Sequence, residues 1–267
     1  MLITHEVSTV RLTQALAGGL IIGALGGLIG LGGAEFRLPL LIGVFGFAAL
    51  SAVILNKAMS LVVVASALLF RMKAVPLEEL SAHWPIVVNL LSGSLIGAWL
   101  GASWAMRMRS QTLYRVLAIL LVFIAVVLLF GHEQGATEPL LTGWMQMVAG
   151  VVSGFAIGVI ASLMGIAGGE LLIPTLVLLF GADVKLAGSL SLLVSLPTMI
   201  VGFTRYSTDD SFAVLRENKL FVLAMATGSL LGAWIGANLL GIVPNTLLLP
   251  MLALILVISS FKVWRHQ

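Results

Sequence analysis

The sequence predicts an all-α integral membrane protein made of two inverted-topology repeats. Three observations predict it: little charge, long apolar runs, and an internal repeat at an offset of 135 residues. Of 267 residues, 60% are hydrophobic and 9% charged, against about 25% charged in a soluble domain. Runs without Asp, Glu, Lys or Arg cover 12–34, 38–56, 80–106, 116–130, 139–169, 186–204 and 220–261. A spanning helix needs roughly 20 apolar residues, so the last run holds two, broken near Gly241, Pro244 and Asn245. Strands of a membrane barrel would alternate polar and apolar residues; these runs do not.

The repeat is explicit. SGSLIGAWLGA from Ser92 matches TGSLLGAWIGA from Thr227, and the same offset pairs Gly30 with Gly165, Gly33 with Gly168, Glu35 with Glu170, and Pro39 with Pro174. It also pairs Gly19 and Gly23 with Gly154 and Gly158, and Asn56 with Ser191. The chain divides into a first repeat, 1–132, a linker, 133–139, and a second repeat, 140–267.

The elements then follow in order. A first helix is expected over 12–29, and over 142–163 in the second repeat. Each ends at a glycine-rich break, GLIGLGGAEFRLP (27–39) and ASLMGIAGGELLIP (161–174). Short segments follow over 36–46 and 170–181, below spanning length and suited to a half-helix or re-entrant arm. Three ordinary helices complete each half, over 51–70, 84–105 and 113–130, and over 186–204, 219–239 and 246–263. That makes 8 to 10 membrane segments, depending on whether the short ones cross.

Basic residues orient the chain. Arg11, Arg107, Arg109, Arg115, Arg205, Arg216, Lys219, Lys262 and Arg265 fall on one side, taken as cytoplasmic with both termini, while Arg71, Lys73 and Lys185 fall on the other. An odd number of crossings per half inverts the second half, and inverted repeats with broken helices are a transporter architecture. A reporter fused after Thr137, in the linker, is expected to read out externally; a cytoplasmic readout overturns this topology. The start, MLITHEVSTVRL, does not read as a cleavable signal.

The breaks carry the chemistry. Glycine permits irregular backbone and close ligand approach, and non-helical backbone at membrane depth must be buried or line a cavity. A helix starting there offers free N–H groups and a positive dipole end to an anion. The candidate substrate-binding residues are Gly30, Gly32, Gly33, Ala34, Glu35, Asn56, Gly165, Ala167, Gly168, Gly169, Glu170, Ser189 and Ser191. Asn56, Ser189 and Ser191 are read as hydrogen-bond donors to oxyanion oxygens, or as interhelical bonds. Glu35 and Glu170 have two readings: they cap their own helices, or they take up protons and couple them to transport. Pro39 and Pro174, four residues on, are placed to kink or restart the helix.

Arg37 has Leu172 as its counterpart and is a candidate to line the cavity, as are the mid-helix Trp99 and Trp234. Lys57 is assigned to the cytoplasmic interface. The four-residue glycine spacings at 19, 23, 27, at 93, 97, 101 and at 228, 232, 236 are packing seams. The Met145, Met147 and Met164 side chains read as apolar filling. Cysteine is absent and the four histidines lack ligand spacing, so no metal or cofactor is expected. No catalytic constellation stands at membrane depth, which argues against an enzyme. The chain has no GxxxxGK[ST] motif of its own for ATP-driven pumping. A net charge of +3, clustered near segment ends, indicates topology rather than a nucleic-acid partner.

The duplicated Gly-rich break with Glu and Pro, the stretch GADVKLAGSLSLL, and the paired GSLIGAWLGA and GSLLGAWIGA helices together resemble the TauE/SafE family of sulfite exporters, also described as four-toluene-sulfonate uptake permeases. The resemblance covers nearly the whole chain, with Ala34 and the AGSLS stretch as local departures. It implies secondary transport of sulfite, sulfonates or other organosulfur acids across the bacterial inner membrane. The expected partners are a small anionic substrate, protons as coupling ion, and the bilayer, with the chain a monomer or homodimer. A passive anion channel and a transporter of non-sulfur carboxylates are the alternatives.

Overall fold

The structure, a computed structural model, describes residues 9–29, 32–71, 77–130, 139–238 and 245–265. Gly30, Lys73, Gly241, Pro244 and linker residues 133–138 lie outside the described residues. The described part is all-helical, without strands. The first half contributes α1 (Thr9–Ile29), α2 (Ala34–Gly43), α3 (Ala49–Arg71), α4 (Leu77–Ala82), α5 (Trp84–Arg107) and α6 (Ser110–Phe130). The second contributes α7 (Gly143–Met164), α8 (Gly169–Phe180), α9 (Val184–Tyr206), α10 (Ala213–Glu217), α11 (Lys219–Asn238) and α12 (Asn245–Trp264).

Among the described residues, seven helices are long and apolar enough to cross a membrane: α1, α3, α5, α6, α7, α9 and α11. Helix α12 adds an apolar stretch over Pro250–Trp264. Large apolar side chains cover the outside of the bundle, among them Ile21, Ile96, Phe123, Val152, Leu223 and Phe261. Such a surface suits lipid and not water. Three short elements escaped the sequence reading: α4, α10 and a 3₁₀ turn at Asp210–Phe212. Each is too brief to show a helical period in sequence.

The halves are interlocked. Helix α1 packs on α11, and α5 packs on α7, so the first helix of each half lies against the other half. The glycine seams make this contact. A Cβ on Gly19, Gly23 or Gly27 would run into the carbonyls of Met225, Ser229 and Ala233. On the other seam, Gly93 and Gly97 press on the carbonyls of Val151 and Phe155, and Gly101 would place a Cβ 2.7 Å from that of Val159. The facing glycines reciprocate: Gly228, Gly232 and Gly236 press on the carbonyls of Leu16, Leu20 and Ala24. Each of these last contacts is the 135-residue image of one on the α5–α7 seam. Positions rise together along both members of each pair, so paired helices run parallel. Without side chains between them, backbones approach closely and dispersion contacts replace the hydrophobic drive that lipid cannot supply.

Helices α3 and α9 cross the centre against each other, with α2 on α3 and α8 on α9. Lys57 of α3 lies beside Gly202 of α9, and further along α3 Val64 shares a small core cluster with Met199 of α9. The steps run in opposite senses along the two helices. The short helices α2 and α8, of 10 and 12 residues, sit in this central layer. They run through Pro39 and Pro174 rather than breaking there. Each proline falls four residues after the glutamate, so it cannot donate to the carbonyl of Glu35 or Glu170.

Candidate functional site

Both short helices start from a glycine in the left-handed region: Gly33 with φ 71° and Gly168 with φ 81°. A Cβ is strained in that conformation. At Gly165, φ 69°, it would also strike the carbonyl of Val53 on α3. The breaks therefore press backbone against backbone. The N–H groups of Phe36 and Arg37 return to the Gly33 carbonyl, and those of Leu171 and Leu172 to Gly168. The N–H groups of Ala34, Glu35, Gly169 and Glu170 precede them and have no carbonyl of their own helix to bond.

Asn56 locks the two breaks together. Its amide donates to the carbonyl of Ala34 at 3.0 Å and to that of Met164 at 3.1 Å. One nitrogen reaching both places the two oxygens no more than about 6 Å apart. Both amide hydrogens are thereby used. Of the two readings of Asn56, the bonds seen are the interhelical ones, and they bridge the breaks.

Glu35 and Glu170 are 0% and 2% exposed and lie near enough to influence each other electrostatically. Neither oxygen of Glu35 has a hydrogen-bond donor among the described residues, and Oε2 of Glu170 has none. A cap would show a donor on the Glu35 carboxyl, so the geometry of Glu35 does not support the capping reading. Two buried carboxylates side by side repel, and the pair holds together when at least one is neutral.

Arg37 is fully buried. Its Nη1 donates to Asn56 Oδ1 at 3.4 Å and to Ser60 Oγ at 3.2 Å, while Nε and Nη2 have no partner among the described residues. The guanidinium is near enough to influence Glu35 electrostatically, yet the two are not hydrogen-bonded. Lys57 is equally buried, its Nζ donating to the Ala161 carbonyl at 3.2 Å and to Ser162 Oγ at 3.3 Å. The ammonium is received inside the bundle by one carbonyl and one hydroxyl near the end of α7 and is not presented on the bundle's outer surface.

The remaining candidates separate. Ser189 and Ser191 are buried, but their hydroxyls donate to the Lys185 and Gly188 carbonyls of their own helix. Gly32, Gly33, Ala34, Ala167, Gly168 and Gly169 lie in the breaks, and Ser195 holds the second one by donating to the Ala167 carbonyl at 2.8 Å. Trp99 and Trp234, read as cavity lining, are 48% and 69% exposed on the outside of the bundle. Their correction has a plain cause: mid-helix position says nothing of which face a residue occupies. Trp99 instead lies under the Arg205 guanidinium, 5.1 Å away.

Sequence reasoning missed Ser60, Ser195, Ser162 and Tyr206, whose hydroxyl donates to the Ser162 carbonyl at 2.9 Å. The repeat offset would have found the first two, because it pairs Ser60 with Ser195. Both sit one turn beyond Asn56 and Ser191 and act on the first turn or break of their own half.

The family model described as sulfite exporter TauE/SafE matches residues 15–263. No curated protein and no solved structure matches the chain.

Proposed function

The chain belongs to the TauE/SafE sulfite exporter family of membrane transporters, and we propose from that premise that it is a secondary transporter of small sulfur-containing anions. Sulfite, sulfonates and organosulfur acids form the substrate class. The observation that carries the reading is the meeting of two glycine-broken helix starts around the buried Glu35–Glu170 carboxyl pair. Helix N-termini offer anion-binding N–H groups, and a carboxyl pair at membrane depth is a proton carrier in waiting.

In this reading, the carboxyl pair takes up and releases the coupling proton, and the two repeats are inverted and alternate access to the centre between them. Antiparallel stepping of α3 along α9, helices related by the repeat, supports inversion. The same reading puts the protein in the bacterial inner membrane with both termini cytoplasmic. Flux into proteoliposomes tests this, using sulfite, thiosulfate, methanesulfonate and a simple carboxylate, with and without a pH gradient. Saturable sulfite or sulfonate flux driven by the gradient is expected. Unsaturable flux indifferent to the gradient favours an anion channel, and flux of the carboxylate alone overturns the sulfur specificity.

A further inference from the structure

We propose that Arg37 is the specificity-determining anion clamp, taking two oxygens of one sulfite or sulfonate group side-on through Nε–H and Nη2–H. The inference rests on the anion-transport reading and names the residue that recognises the substrate.

A buried guanidinium is normally paired, because an unpaired charge removed from water is strongly disfavoured. Arg37 is fully buried, and its free donors are Nε and Nη2. These two groups form one edge of the planar fork, with parallel N–H bonds spaced for two oxygens of an oxyanion. The opposite corner is already held: Nη1 is bonded to Asn56 and Ser60, and Asn56 is bonded to both breaks. The free edge is thus pre-oriented, and an anion gains its bonds without first ordering the side chain.

The site is built on one side of the repeat only. The counterparts of Arg37, Asn56 and Lys57 are Leu172, Ser191 and Leu192. Lys57 is another buried cation, but its ammonium already has two acceptors, Ala161 O and Ser162 Oγ. A spherical ion cannot exploit two parallel N–H bonds as an oxyanion does, so the clamp selects for shape as well as charge. It also links the anion to the proton. Glu35 and the anion compete for the same positive charge, so a proton on Glu35 leaves Arg37 free for the substrate.

The test is titration of the purified full chain with sodium methanesulfonate, and with chloride at matched ionic strength, read by calorimetry. The wild-type protein, Arg37→Lys, Arg37→Leu and Ser60→Ala are compared after gel filtration and circular dichroism establish folding. Wild type is expected to bind methanesulfonate in preference to chloride. Arg37→Lys should bind it roughly tenfold or more weakly and lose the preference, since a point charge replaces the fork. Arg37→Leu should lose binding. Ser60→Ala keeps the charge and loosens its support, so its affinity should fall about threefold or more; it carries the test if the Arg37 variants do not fold. Undiminished affinity in Arg37→Lys or in Ser60→Ala overturns the clamp. If Arg37→Leu binds as wild type while wild type transports sulfite, the clamp alone is wrong. A wild-type protein that neither binds nor moves sulfite or methanesulfonate overturns the transport reading and the clamp with it.

Discussion

Replacing Glu170 by glutamine is expected to abolish pH-driven flux while leaving folded protein in the membrane. Glutamine keeps the shape of a protonated carboxyl but cannot release a proton. Its amide can also donate to the neighbouring Glu35 carboxyl, which has no donor among the described residues. The substitution therefore removes a like-charge conflict from a buried site and supplies a hydrogen bond there. Thermal stability in detergent should be unchanged or raised by a few degrees. A structural role for the carboxylate predicts the opposite pattern, a lowered Tm with coupling intact. Gradient-driven flux at the wild-type rate would remove the carboxyl pair from the proton path.

The second large effect is structural. Gly97→Val places a branched side chain where α5 touches α7 at the Phe155 carbonyl. No rotamer relieves a clash made by Cβ itself, so two helix backbones must separate. The neighbouring contacts at Gly93 and Gly101 then loosen too, because they lie on the same stripe. A loss of at least about 3 kcal/mol is expected, at the upper end of overpacking costs. The checks are the fraction of protein recovered monodisperse after extraction and the midpoint of thermal unfolding. Recovery and midpoint equal to wild type would show that the seam yields without cost. The same change at Gly46, where a Cβ meets nothing within 4 Å, should act only through its positive φ of 70° and cost less.

Much of this architecture was legible in the sequence, for physical reasons. Lipid demands long apolar runs, so the long helices fall within a few residues of their expected bounds, as with α5 at Trp84–Arg107 against 84–105. The repeat offset aligned the two breaks and paired Gly33 with Gly168, which share one backbone conformation. What stayed hidden was which face each residue presents. The apolar runs are apolar all round, so no amphipathic stripe tells Trp234 outside from Leu190 inside. The partners of Lys57 stayed hidden for a related reason. A charge in sequence suggests a surface, and only the tertiary arrangement brings the Ala161 carbonyl and the Ser162 hydroxyl of α7 to it. The role of Asn56 was equally invisible, because its two acceptors come from residues 22 and 108 positions away.

The interlocking of the halves also bears on how the chain is made. Helix α5 meets its partner α7 after a short wait, whereas α1 needs α11. From Ile29 to Lys219 about 190 residues must be synthesised, which takes roughly 10–40 s at 5–20 residues per second. Through that interval, the Gly19–Gly23–Gly27 stripe faces lipid or the insertion machinery with its intended groove not yet built. Helix α1 thus waits for most of the second half to be made before its seam can close.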